Sequence, residues 1–333
     1  MPDISSIEMR RLSYSLGSLL TIEEVLDCSQ KLNSIKPEAM WIPETWGMEN
    51  FSMLSLASKQ NKFSKIGSSI INIYSRSPSL IAMGAATIDT ISNGRLILGL
   101  GTSSIPIIQG FHGQSFESPI QRMKEYVEII RVALSGKKIN YSGKIFSLKD
   151  FTLLIDPVRK EIPIYLAAIN RKMVELTWNI ADGVIFYLRP KDEMKKTIQN
   201  MQEIRKIDTS LQIITCVDHD YEKAINRAKK TLSFYIAVGT IYRDFLHSNG
   251  YSEEIEIIYN EYIKKGLENL EKLVPDKMLD DLCIAGTPDI AVKKLNVFYD
   301  IGIDIPIIQF NPIGDVKESF QLLTNTFSGE INE

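Results

Sequence analysis

Short apolar runs rich in Ile, Leu and Val alternate along the chain with longer segments in which apolar residues recur at helical spacing. Residues 12–20 (LSYSLGSLL) are uncharged and predict a strand, after which Thr21 and Glu24 form the two halves of a helix-opening capping box. Strand-like runs follow at 39–43, 65–71 and 95–100, separated by helical segments at 49–61 and 78–91, the latter stopped by Asn93-Gly94. Met123, Tyr126, Val127, Ile130 and Leu134 share one face of a predicted helix over 119–134. Residues 138–146 (KINYSGKIF) predict a hairpin turning at Ser142-Gly143. The alternation resumes with strands at 162–168, 183–188, 211–217 and 303–310, and with helices at 171–180, at 191–206 and after the last strand.

This gives eight strand–helix units. Near-continuous apolar strands separated by helices are the pattern of a parallel sheet covered on its faces. Eight of them predict an α/β fold, a closed (β/α)8 TIM barrel, with an open doubly wound sheet as the alternative. The helical, tyrosine-bearing stretch 233–282 is expected as an insertion between strands seven and eight. No linker or repeat divides the sequence, so 1–333 is expected to form a single domain, although the length alone suggests about two.

Composition adds exclusions. Thirty-eight basic against 41 acidic residues, a net charge of -3, argue against a general nucleic-acid or anionic-membrane binder. Cys28, Cys216 and Cys283 are widely spaced, which suits a reducing compartment and packing roles. His112, His219 and His247 have no metal partner at helical spacing, so no metal site is expected. Residues 1–11 are polar, not a signal peptide, and no run approaches the ~20 apolar residues of a membrane span. A cytoplasmic protein without membrane association is expected.

A barrel of this kind carries its site at the C-terminal ends of its strands. That rule selects Gly17 and Ser18, Glu44 to Trp46, residues 68–76, Gly101 to Ser104, Ala167 to Arg171 and Tyr187 to Arg189. The Gly99-Leu100-Gly101-Thr102 stretch lacks the third glycine and immediate helix of a dinucleotide loop; its glycines serve close approach, to a neighbouring backbone or to a flat ligand. The turn Ala167-Ala168-Ile169-Asn170-Arg171 opens a helix whose first amides suit an anion, or it is simply a capped helix start. Glu44 beside Trp46 is either a proton carrier or the partner of an arginine, and His112 is the histidine nearest the expected mouth.

Several segments taken in order resemble the bacterial-luciferase-like superfamily of flavin- and deazaflavin-dependent oxidoreductases. They are Trp41-Ile42-Pro43-Glu44-Thr45-Trp46-Gly47, Gly67-Ser68-Ser69-Ile70-Ile71-Asn72-Ile73-Tyr74-Ser75-Arg76-Ser77-Pro78 and Gly94-Arg95-Leu96-Ile97-Leu98-Gly99-Leu100-Gly101-Thr102. Tyr141 to Phe146, Ile164 to Ala168, Ile180 to Val184 and Ala285-Gly286-Thr287-Pro288 add to them. The set most resembles the coenzyme F420 branch, which includes methylenetetrahydromethanopterin reductase. The resemblance implies a non-proline cis peptide at Ser69–Ile70 backing the deazaflavin ring. It further implies ring or tail contacts at Gly101 and Thr102 and a phosphate site at Ala167, Ala168, Ile169 and Asn170, with Asn72 in the pocket and Arg171 beside the helix start as the remaining expected cofactor contacts.

The chain departs from the alcohol- and sugar-oxidising members. Where they carry an Asp-His pair and a Glu, it reads Glu44-Thr45 and Ser104. Glu44 and His112 remain the candidate acid–base residues, and Trp46 and Ser104 line the expected substrate pocket. The implied function is hydride transfer between F420 and a small organic substrate such as a methylenetetrahydromethanopterin-like pterin, in a homodimer. An FMN-dependent monooxygenase and a non-catalytic flavin-binding barrel are the alternatives.

Overall fold

A computed structural model describes residues 10–17 and 19–332. Ser18 and most of the N-terminal segment read from the sequence, 1–9, lie outside the described residues. The strands are β1 Ser13–Ser15, β2 Ala39–Ile42, β3 Lys65–Ser68, β4 Ile71–Asn72, β5 Leu96–Gly101, β6 Ile139–Ser142, β7 Ser147–Phe151, β8 Ile164–Ala167, β9 Gly183–Tyr187, β10 Asp208–Val217, β11 Cys283–Gly286 and β12 Ile305–Phe310. The helices are α1 Ile22–Lys31, α2 Asn50–Gln60, α3 Pro78–Ser92, α4 Pro119–Leu134, α5 Arg171–Ile180, α6 Lys191–Ile204, α7 Tyr221–Val238, α8 Thr240–Ser248, α9 Ser252–Lys265, α10 Asp276–Leu282, α11 Pro288–Asp300 and α12 Val316–Asn332.

Parallel pairing runs β1-β2-β3-β5-β8-β9-β10-β12 and returns to β1, closing the eight-stranded (β/α)8 barrel. Two short strands attach to this ring. β4 pairs with β5, and β11 pairs with the end of β10, beyond the stretch that β9 occupies. The sequence did not predict β11, because four buried residues between two helices are too short for a period. The stretch 233–282 holds the end of α7, then α8, α9, a 3₁₀ turn and α10.

Local chemistry sets the element ends. Thr21 accepts from the Glu24 amide while Glu24 accepts from the Thr21 amide, which is the predicted capping box. α3 stops where Asn93 and Gly94 turn left-handed, at φ 59° and 77°. α4 has the predicted bounds. The hairpin is larger than expected: its second strand is β7, at 147–151, and the turn spans 143–146. That turn hangs on the fully buried Glu125, whose carboxylate accepts from the amides of Lys144, Ile145 and Phe146 and from Gln121.

The barrel interior is filled by Ala39, Trp41, Ile97, Tyr165, Ile185, Ile305 and Ile307, with Ile70 packed against them. Its N-terminal end carries a charge cluster. Arg11 donates to Asp208 at 2.6 Å and to Glu38 at 2.9 Å, Lys65 reaches Glu38 at 2.6 Å, and the Tyr165 hydroxyl donates to Asp208. Burial pushes the Glu38 and Asp208 carboxyls up, but the arginine and their other hydrogen-bond donors outweigh it and hold both below their ordinary values.

Candidate active site

At the opposite end, the third barrel strand breaks after Ser68 and resumes as β4, with a cis peptide bond at Ser69–Ile70 between the two pieces. Ser68 secures the break. Its hydroxyl donates to the Gly99 carbonyl and accepts from the Gly99 amide, both at 2.8 Å. Only glycine fits opposite, since a β-carbon at Gly99 would stand 1.8 Å from the Ser68 carbonyl oxygen. The Ser69 hydroxyl is buried without a hydrogen-bond partner among the described residues.

Ile70 then leans over β5. A β-carbon at Gly101 would lie 2.5 Å from Ile70 Cδ1 and 3.3 Å from the Ala167 β-carbon. Gly101 thus makes room for the Ile70 side chain, and Ile70 with Ala167 beside it forms an apolar floor at the barrel mouth, which suits the face of a planar ring. Asn72 is buried beside it and caps the following turn, accepting from the amides of Tyr74 and Ser75 at 3.0 and 2.8 Å.

Glu44 lies where expected, but its carboxylate is engaged. Arg76 Nη2 donates to Oε1 at 2.6 Å and Nη1 to Oε2 at 2.8 Å, and the Asn50 amide donates to Oε1 at 3.1 Å. Arg76 also reaches Glu49, the N-cap of α2. Burial weakens the Arg76 charge, yet these carboxylates outweigh it and raise its pKa. Of the two roles weighed for Glu44, the geometry favours that of an arginine's partner holding the loop after β2. Trp46 is 56% exposed on that loop.

After β5, Thr102 and Ser104 are half-buried and Ser103 turns left-handed at φ 58°. The segment expected to continue without a helix folds into a π-helical turn, Pro106–Phe111, because the Ser104 carbonyl accepts from the Ile108 amide and Ile107 from His112. His112 closes that turn, and its Nε2 is buried with no hydrogen-bond partner among the described residues.

At the β8–α5 turn, Asn170 caps α5 by accepting from the Met173 amide at 3.0 Å. Ala168 is buried and donates to the Ile185 carbonyl. The Arg171 side chain is 90% exposed and pairs with Glu175 one helical turn on, at 2.7 Å. The cation that serves this turn is Arg189, which is buried, donates to the Ile169 carbonyl at 2.9 Å and is neutralised by Glu193. Its guanidinium lies between the Phe186 and Phe245 rings. The turn therefore offers backbone amides and a helix dipole to an anion, with no free arginine.

Two residues at the mouth had no signal in the sequence beyond being polar within apolar strands. Gln212 on β10 and Gln309 on β12 are joined by a hydrogen bond from Gln212 Nε2 to Gln309 Oε1 at 3.3 Å. Gln212 Oε1 is buried and has no hydrogen-bond partner among the described residues.

Comparison with known proteins agrees with this geometry. Over 298 residues the chain is 31% identical to 5,10-methylenetetrahydromethanopterin reductase of Archaeoglobus fulgidus, covering 85% of this chain and 88% of the relative. The solved coenzyme F420-dependent tetrahydromethanopterin reductase of Methanopyrus kandleri superposes with a TM-score of 0.82 at 22% identity, over 94% of this chain and 97% of that one. The oxygenating constituent of 3,6-diketocamphane monooxygenase of Pseudomonas putida, solved in complex with FMN, gives 0.69 at 14% identity, over 97% and 98%. The family model for luciferase-like monooxygenases matches residues 8–304, and with the barrel and its broken third strand this places the chain in the bacterial luciferase-like family.

Proposed function

We propose that the protein is a coenzyme F420-dependent oxidoreductase acting on a small organic substrate, with a reduced pterin of the methylenetetrahydromethanopterin type as the first to test. The floor of Ile70, Gly101 and Ala167 carries this reading, because Ile70, packed into the space that Gly101 leaves, sets an apolar face where a tricyclic ring would lie. The unpartnered Ser69 hydroxyl beside it supplies a polar contact, and the A. fulgidus relative is named for the reduction of such a pterin.

Bound there, the deazaflavin would supply the hydride chemistry. Ser69, Ile70, Asn72, Gly101 and Thr102 hold the ring side, while the backbone of Ala167, Ala168, Ile169 and Asn170 receives the phosphate. Trp46 and Ser104 border the substrate, and Trp46 excludes water when covered. His112 is the group we assign to holding a proton at Nε2, the buried nitrogen that no other described residue engages. Arg76 and Glu44 hold the loop that carries Trp46 in place. The exposed Leu56, Leu80 and Met83 on α2 and α3 support the homodimer that the family resemblance implies.

Anaerobic spectral titration with F420 and with FMN tests this reading. Saturable F420 binding, followed by reduction of the pterin, is the expected result. Binding of FMN alone favours the monooxygenase alternative, and binding without turnover of any substrate favours a flavin-holding barrel.

A further inference from the structure

Gln212 and Gln309 stand across the barrel from the floor just described. From β3 to β10 the ring passes through β5, β8 and β9 in one direction and through β2, β1 and β12 in the other, so the two strands face each other. The glutamines also sit at mouth level. Gln212 pairs in register with Tyr187, the last residue of β9, and Gln309 with Ser15, the last residue of β1. A carboxamide carries one acceptor and one NH₂ donor group. Joined head to tail, these two leave the Gln212 oxygen unused and buried, a state that native proteins rarely keep without a ligand or water to satisfy it.

We propose that Gln212 and Gln309 are specificity-determining residues that read a cyclic-amide edge, a ring N–H beside a ring carbonyl, on the molecule sandwiched between them and Ile70. Gln212 Oε1 accepts from the ring N–H, and the Gln309 carboxamide sets the orientation of Gln212. This rests on the deazaflavin reading. Two molecules of the reaction carry such an edge, the pyrimidine end of the deazaflavin and the pyrimidinone ring of a pterin, and a carbonyl substrate lacking a ring N–H does not. A site whose buried acceptor is left unmatched discriminates strongly against the compound that lacks the donor.

The full chain is compared with Gln212→Met and Gln309→Met, which keep side-chain length and remove the amide, and melting temperature reports folding. F420 affinity is read by absorbance titration, and KM and kcat by oxidation of reduced F420 with methylenetetrahydromethanopterin. The expected result for Gln212→Met is a loss of about tenfold in one of the two affinities, the other staying within twofold. Loss of F420 affinity assigns the edge to the coenzyme; a rise in KM with kcat held assigns it to the pterin. Variants that melt like the parent and leave both values within twofold overturn the proposal. If the parent chain turns over no pterin, the F420 titration alone decides by the same criterion. A parent chain that ignores F420 but binds FMN refutes the deazaflavin reading separately. FMN has the same ring edge, so an unchanged FMN affinity in Gln212→Met overturns the proposal and a tenfold loss supports it. A chain that binds neither coenzyme overturns both.

Discussion

Arg76 grips Glu44 through both terminal nitrogens, at 2.6 and 2.8 Å, with both side chains largely shielded from water. The pair ties the loop after β2 to the turn after β4, two segments that meet only at the barrel mouth. Replacing Arg76 with Met leaves a shielded carboxylate without its cation, a change that typically costs about 3–5 kcal/mol. Chemical denaturation of Arg76→Met is expected to show a loss of that order, and Arg76→Met with Glu44→Gln to recover part of it. Equal stability of the single and double variants refutes the coupling.

Gly101 offers a more local test. An alanine there meets Ile70 at 2.5 Å, and Ile70 has to move off the floor. Gly101→Ala is expected to weaken F420 binding at least tenfold in a spectral titration, while losing about 1–3 kcal/mol of stability through overpacking. Unchanged F420 affinity in the folded variant removes the floor as a ring site.

The proposed proton role of His112 has its own test. His112→Gln is expected to lower kcat about 10²–10⁴-fold, the usual contribution of a positioned acid–base group. F420 affinity should hold, since the residue lies on the loop beyond Thr102. A variant with full kcat rules out acid–base participation by this histidine.

Glu125 predicts a pH dependence. Burial pushes its carboxyl up, but hydrogen bonds from Gln121 and from the amides of Phe146, Lys144 and Ile145 outweigh that and hold its pKa below the ordinary value. The unfolded chain therefore binds the proton more readily than the folded one. Its stabilising contribution is complete above the unfolded pKa of about 4.3, and is lost as pH falls through the lower folded value. The stability gap between the parent and Glu125→Gln should be flat above about pH 5 and narrow below pH 4. A gap that widens on acidification contradicts this sign.

Exchange at the β8–α5 turn separates the two arginines. Arg171→Ala, which removes a solvated side chain, should leave F420 affinity within twofold. Arg189→Met should lower stability, because Glu193 loses its buried partner and the Ile169 carbonyl its donor.

The barrel was legible because its strands are apolar on both faces and its helices start and stop on recognisable chemistry, as at Thr21, Asn93 and Asn170. Where that contrast fails, so does the reading. β7 is polar and mostly exposed, and the turn leading into it hangs on the carboxylate of Glu125 some 20 positions earlier. The site was half legible. Ser69, Ile70 and Gly101 stood out through a family resemblance, and the chain ends of the strands located Glu44 and His112. Nothing local marks Glu44 as taken by Arg76, 32 positions away, or joins Gln212 to Gln309 across 97. Nor does the sequence show that Arg171, a cation at a helix start, pairs with Glu175.

The charge cluster of Arg11, Glu38, Lys65 and Asp208 bears on traffic as well as on stability. With that end of the barrel closed by the cluster and the interior filled by Trp41 and Tyr165, a coenzyme and a substrate bound at the mouth, as proposed, would share one doorway. On the proposed function, the reactant lying deeper is expected to arrive first and depart last, which product-inhibition kinetics would report as an ordered pattern.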